Sequence, residues 1–309
     1  MDAHRIGRGL AGIPRPAALA LVTVVYVLAG LAGWAVAIAL GGWAPIPRTL
    51  AADVVATLVV FAAAQLVRNA SLYDPFWSVA PPVIVVAWAA SEPGDDARSA
   101  IVVALVTIWG VRLTANWATG WGGLGHEDWR YRKLRDDTRG RLPFWVVNLA
   151  GIELMPTLLV FAGLLAAWPA VAVGGNGIGA LDVVAIVVTV AAVATEAIAD
   201  LQLRAFARDP ANAGRTADRG LWAWSRHPNY LGQIGFWWGL WLFALAADPG
   251  WWWTVAGPLA IVALFAFVSV PMMDARSLER RPGYAEHMRA VGALMPRRRS
   301  RTRRSSGGR

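Results

Sequence analysis

Four side chains carry most of the chemistry legible in this chain: Arg226, His227, Asn229 and Tyr230, in the run SRHPNYLGQIGFWWGLW at 225–241. The run starts polar and charged and passes directly into a tryptophan-rich apolar stretch, so its donors stand at the mouth of a membrane helix. Polar groups there are costly unless a polar ligand or partner meets them. Arginine offers a planar, permanent cation suited to phosphate. Pro228 can open a helix at its first turn, and the free N–H groups of such a turn favour an anion. The spacing predicts Asn229 and Tyr230 projecting from that turn. The plainer alternative is a capping turn with Arg226 and His227 reaching to the interface.

Other polar groups have spacings that matter. Glu196, Asp200 and Arg204 lie at i, i+4 and i+8, which puts them on one helix face. They read either as an ion-pair ladder or as the polar wall of a water-accessible cavity. Arg112 and Asn116, four apart near the inner end of another span, are placed to face the same cavity. The loop GHEDWRYRKLR at 125–135 gathers Glu127, Asp128, Arg130 and Tyr131, although an interfacial amphipathic helix explains its aromatic and basic residues equally well. The stretch LERRPGYAEHMRAVGALMP at 278–296 reads as a cytosolic helix folded back over the bundle mouth.

Several patterns carry no chemistry. GRGLAG at 7–12 fits GxGxxG but has no preceding strand and no βαβ unit. GGNGIG at 174–179 reads as a flexible outside loop. Asn69-Ala70-Ser71 fits a glycosylation acceptor but falls on the cytosolic side. The histidines (His4, His126, His227, His287) are too scattered for a metal site. Cysteine is absent, which excludes disulfides and thiolate chemistry.

The elements that position these residues are membrane helices. Of the 309 residues, 57% are hydrophobic and 16% charged, against about 25% charged in soluble domains. Apolar runs of about 20 residues recur throughout, which predicts an all-α, polytopic transmembrane bundle. A β-barrel is excluded for want of ten-residue alternation. Eight spans are expected, at 17–40, 50–68, 76–90, 99–118, 142–168, 180–204, 230–247 and 251–272. The third is short and contains Pro81-Pro82, so a break or re-entrant turn is expected there. Asp248-Pro249-Gly250 supplies a tight turn between the last two.

Arginine orients the bundle. The N-terminal segment (1–16), the 130–141 loop, the 204–226 segment and the C-terminus are basic. The loop after span three is acidic, and the 169–179 loop is uncharged. The positive-inside rule puts both termini in the cytosol. The net charge of +9 is mostly topology, since seven of the 29 basic residues lie in the tail at 297–309. That tail reads as disordered, near anionic lipid headgroups, and not as a nucleic-acid arm. The remainder, 17–296, reads as one membrane domain with its motifs concentrated at 126–296.

In order and spacing, SLYDPFW (71–77), HEDWRY (126–131), SRHPNYLGQ (225–233) and the closing RPGYAEHMR…MP resemble the steroid 5-alpha-reductase-like membrane proteins, and more closely their DUF1295 branch. The resemblance spans roughly 71–296. It implies a helical bundle in a bacterial-type cell membrane, with NADPH held at the cytosolic side. It implies hydride transfer to the β-carbon of an α,β-unsaturated carbonyl in a lipid-like or steroid-like substrate. Asn229 matches the family asparagine that contacts the cofactor, and Asp200 an aspartate facing it. Arg204 and Arg226 lie where phosphate or ribose is held, and Tyr284 aligns with a C-terminal tyrosine. The steroid reductases use a glutamate on an early span with a tyrosine on a later one. Span two has no glutamate, and Gln65 is the polar residue taken nearest to that role. Tyr73, Asp74 and Glu153 are the remaining candidates for the acid.

Isoprenylcysteine carboxyl methyltransferases share RHPxYxG but bind S-adenosylmethionine, and are the chief alternative. Asp274 and Glu279 do not clearly reproduce their acidic pair. A transporter or scaffold is the third class.

Overall fold

The computed structural model describes residues 12–295 apart from 93, 95, 174 and 175. Residues 7–11 of the glycine pattern, Asp95, Gly174, Gly175 and the tail at 297–309 lie outside the described residues. In chain order the helices are α1 (Arg15–Ala39), α2 (Pro45–Val67), α3 (Phe76–Ser91), α4 (Asp96–Gly120) and α5 (Trp129–Thr138). They continue as α6 (Phe144–Ala167), α7 (Ala180–Arg208), α8 (Pro228–Ala247), α9 (Pro249–Arg280) and α10 (Tyr284–Ala290). Seven of them are long and apolar enough to cross a membrane. Their outer faces carry large apolar side chains, such as Val24, Leu28 and Leu31 on α1 and Val183, Val187 and Val190 on α7. Such faces are untenable in water and natural in lipid, where helices satisfy their own backbone.

α3 corrects two expectations. At 16 residues it spans about 24 Å, short of the roughly 30 Å hydrocarbon core. It is also unbroken: Pro81 and Pro82 sit inside it. Pro82 cannot donate to Ser78 O, and that carbonyl instead lies against Gly110 of α4, where a Cβ would strike both Ser78 O and the Pro82 ring. Ser78 Oγ adds a bond to Pro75 O (2.9 Å) and pairs with Thr114 Oγ1 (2.9 Å).

The chain forms two compact units, Met1–Asp182 with Leu240–Gly257, and Val183–Gly239 with Pro258–Arg309. In the first, α1 lies along α2, with Gly33 close to Ala52 O. Apolar clusters around Val22, Leu72 and Trp121, and around Val60, Tyr73 and Phe76, form its core. Arg98 is buried there against Asp182 (2.7 and 2.9 Å) and donates to Asn176 O and Gly177 O, which anchors the uncharged 169–179 loop. Asp248 caps the turn expected before α9, accepting from Gly250 N at 2.8 Å.

In the second unit, Gly232, Gly235 and Gly239 present one face of α8 to Glu196, Ala192 and Thr189 of α7. Small residues let membrane helices approach closely, where packing replaces the hydrophobic effect. Trp222 packs back on α7, donating Nε1–H to Ala199 O at 3.0 Å.

Candidate functional site

α8 begins at Pro228, as the proline predicts, and residues 225–227 are fixed before it. Arg226 N and His227 N donate to Gly292 O (3.0 Å) and Ala293 O (3.1 Å), so the chain after α10 runs alongside this segment. Asp274 of α9 is the hub. Its carboxylate accepts from Arg226 Nε (3.2 Å), Arg226 Nη2 (2.6 Å) and Tyr284 Oη (2.6 Å), and pairs with His227 Nε2 at 3.0 Å. Arg226 Nη1 also donates to Val291 O at 2.6 Å. Arg226 is 8% exposed, and its donors are committed to Asp274 and backbone carbonyls. It therefore positions the site. Burial, then its bond to Asp274, pushes the Tyr284 phenol up to about 12, so it stays a donor. Burial first, and the Arg226 charge second, disfavour the His287 imidazolium.

Beside this hub lies a cavity of about 430 Å³. Arg215, Arg226, Arg276, Arg280, Arg281, His227 and His287 line it, against one carboxylate, Asp209. Leu203, Phe206, Trp222, Tyr230 and Met273 give it apolar walls. His227 stacks on Tyr230 (5.3 Å between ring centroids, 12° between planes), and Tyr230 packs on Phe265 at 4.6 Å. Asn229 lines the cavity as well. An excess of guanidinium groups beside aromatic walls and a helix N-terminus suits an anion carried on a flat ring system.

Arg226, His227, Asn229 and Tyr230 thus come together, while Asp200 and Arg204 are half-buried on α7 and are not among the lining residues. Arg112 and Asn116 belong to the first unit. The sequence reading weighed Asp274 only against the methyltransferase acidic pair and passed over the α9 arginines. The signal was the helical spacing of Met273, Ser277 and Arg280, which carries α9 from the last expected span into the charged stretch read as a folded-back helix.

The candidates for the acid lie in the first unit. Arg68 closes α2 in the left-handed region (φ 58°), and Asn69 then caps a turn at Ala70–Leu72, accepting from Ser71 N at 2.9 Å. Asn69 Nδ2 also donates to Leu124 O (2.8 Å) and His126 O (3.0 Å), and the residue is 2% exposed, which closes it to glycosylation. SLYDPFW and HEDWRY are locked together. Ala70 N donates to Glu127 Oε1, Asp128 N to Ser71 Oγ, and Tyr131 Oη to Asp74. Arg135 holds Glu127 through two 2.8 Å bonds. Asp74 is therefore engaged, and its burial, opposed by Arg130 and Tyr131, raises its carboxyl to about 6.

Tyr73 points elsewhere. Its Oη pairs with Thr157 Oγ1 (2.8 Å), which pairs with Thr57 Oγ1 (2.9 Å). Burial pushes its phenol well up, keeping it protonated. With Asp53, Thr157, Phe76, Trp77 and Phe161 it lines a small cavity of about 10 Å³. Asp53 is the carboxylate of span two that the search for a glutamate missed. Gln65 lies further along α2 and does not line this cavity. Glu153 is buried on α6, accepting from Asn148 Nδ2 at 3.0 Å.

Fold and site define a polytopic helical membrane protein with a cation-lined cavity in one of its two helical units. The chain belongs to the family described as "Protein of unknown function (DUF1295)", which matches residues 60–291. It is similar to "Uncharacterized protein C594.04c" of Schizosaccharomyces pombe, 27% identical over 257 residues, covering 74% of this chain and 73% of the relative. No solved structure matches it.

Proposed function

We propose that this protein is a membrane-embedded, NADPH-dependent reductase of a C=C bond conjugated to a carbonyl in a lipid-like or steroid-like substrate. The observation that carries the reading is the 430 Å³ cavity of the second unit, where Arg215, Arg276, Arg280 and Arg281 line the wall beside the engaged Arg226 and a single carboxylate, Asp209. That donor set fits the phosphates of NADPH. S-adenosylmethionine has no phosphate and bears a sulfonium cation, which the same lining disfavours. Arg215, Arg276, Arg280 and Arg281 would hold phosphate, Asn229 an amide or ribose group, and Tyr230 and Trp222 a ring face. Bound there, NADPH supplies the hydride.

Tyr73 is the candidate for the acid. Reduction adds a hydride to the β-carbon and a proton to the resulting enolate, so a donor must meet the carbonyl oxygen as charge develops. Tyr73 Oη is a protonated donor beside Asp53, in a cavity with room for one polar atom. Phe76, Trp77 and Phe161 give it apolar walls. Asp74, engaged by Tyr131, orders the loop. The arginine distribution supports a cofactor cavity open to the cytosol. NADPH should raise the unfolding temperature of the purified protein in detergent, and Asn229→Ala should remove that rise. Stabilisation by S-adenosylmethionine with none by NADPH rejects the reading.

A further inference from the structure

Glu153 and Asn148 sit in a seven-residue π-helical turn, Asn148–Leu154, inside the membrane helix α6. Five residues apart, they would diverge on a regular α-helix, and the wider turn stacks them. Asn148 Nδ2 donates to Glu153 Oε1 at 3.0 Å. Two acceptors are left over. Glu153 Oε2 and Asn148 Oδ1 are buried without a hydrogen-bond partner, in residues 0% and 1% exposed. Such π-turns concentrate at functional sites. A carboxyl oxygen and an amide oxygen buried inside a membrane form an oxygen set lacking a positive charge, and an unpaired carboxylate is not tolerated there.

We propose that Glu153 and Asn148 form an intramembrane site for one small monovalent cation, a sodium ion or the proton that replaces it. Both occupants neutralise the same two oxygens: sodium by coordination to Glu153 Oε2 and Asn148 Oδ1, the proton by bonding to Glu153 Oε2 and donating to an acceptor beside it. The ionisable groups coupled to Glu153 from neighbouring elements are Tyr26 of α1 and Tyr73, with Asp53 on α2, which packs on the π-turn. All are acids, so none offers a competing cation. The site does not depend on the reductase reading.

The test uses the full chain in detergent micelles. Unfolding temperature is measured in sodium chloride against equal choline chloride, at neutral and at mildly acidic pH. The infrared carboxyl band of the wild type is followed over the same pH range. A sodium-dependent rise that weakens in acid and vanishes in Glu153→Gln and Asn148→Ala identifies sodium. No sodium effect, with a protonated-carboxyl band that Glu153→Gln removes and alkaline pH converts to carboxylate, identifies the proton. An ionised Glu153 with no sodium effect overturns the proposal, as does a carboxyl band unmoved across the whole range. Should Glu153→Gln misfold, Asn148→Ala assigns the band by shifting it, since it removes the amide bonded to Glu153, and the sodium arm on the wild type needs no variant.

Discussion

Replacing Asp274 by asparagine keeps the shape of the hub and removes its charge. Asp274 and Arg226 are 6% and 8% exposed and joined by bonds of 2.6 and 3.2 Å, so Arg226 becomes a buried cation without its counterion. Removing one partner of a buried pair costs about 3–5 kcal/mol. The asparagine oxygen can still accept from Tyr284 or His227, which places the loss near the lower end, about 3 kcal/mol. At about 2–4 °C per kcal/mol for a chain of a few hundred residues, the unfolding temperature in detergent should fall by roughly 6–12 °C. Arg226→Met combined with Asp274→Leu removes both charges and should recover much of that loss, because the single variant suffers mainly from the stranded guanidinium. An unchanged unfolding temperature in Asp274→Asn, or a double variant no better than the single, refutes the reasoning.

Three further outcomes follow from the same geometry. Tyr73→Phe should lower turnover about 10²–10⁴-fold, the range of a general acid, and leave NADPH binding unchanged; equal turnover would release Tyr73 from the acid role. Asp74 has its carboxyl raised to about 6 in the folded state, so the fold binds its proton more tightly than the unfolded chain does. Its contribution is therefore full below about pH 4 and lost as pH rises through about 6, by up to about 3 kcal/mol. Asp74→Asn should flatten that part of the stability–pH profile, measured by thermal unfolding. A Cβ at Gly232 would lie 2.7 Å from Ala192 O and Glu196 N, so Gly232→Ala should push α8 off α7 and destabilise the protein by about 1–3 kcal/mol.

Much of the fold was legible because lipid imposes one pattern, a run of about 20 apolar residues closed on its own backbone. Pro228 announced the start of α8, and 225–230 announced a polar corner. What escaped depended on partners distant in sequence. Asp274 was weighed in sequence only as half of a methyltransferase acidic pair, and its role shows once Arg226, His227 and Tyr284 converge on it. Asp53 was passed over because a glutamate was sought, and only the side-by-side placement of α2 and the Tyr73 segment makes it notable. The double proline of α3 reads as a break, since the sequence does not reveal that Gly110 lets a neighbouring helix cover the freed carbonyl. The π-turn of α6 has no sequence signature beyond two polar residues five apart.

The central claim is that the arginine-lined cavity of the second unit holds a phosphorylated nicotinamide cofactor. Its most direct test is equilibrium binding of NADPH to the purified protein in detergent, beside S-adenosylmethionine and beside the Arg280→Ala variant. NADPH should bind saturably and weaken about tenfold or more in Arg280→Ala, the loss of one charge-assisted phosphate contact, and S-adenosylmethionine should not bind. Saturable S-adenosylmethionine binding with none of NADPH would contradict it.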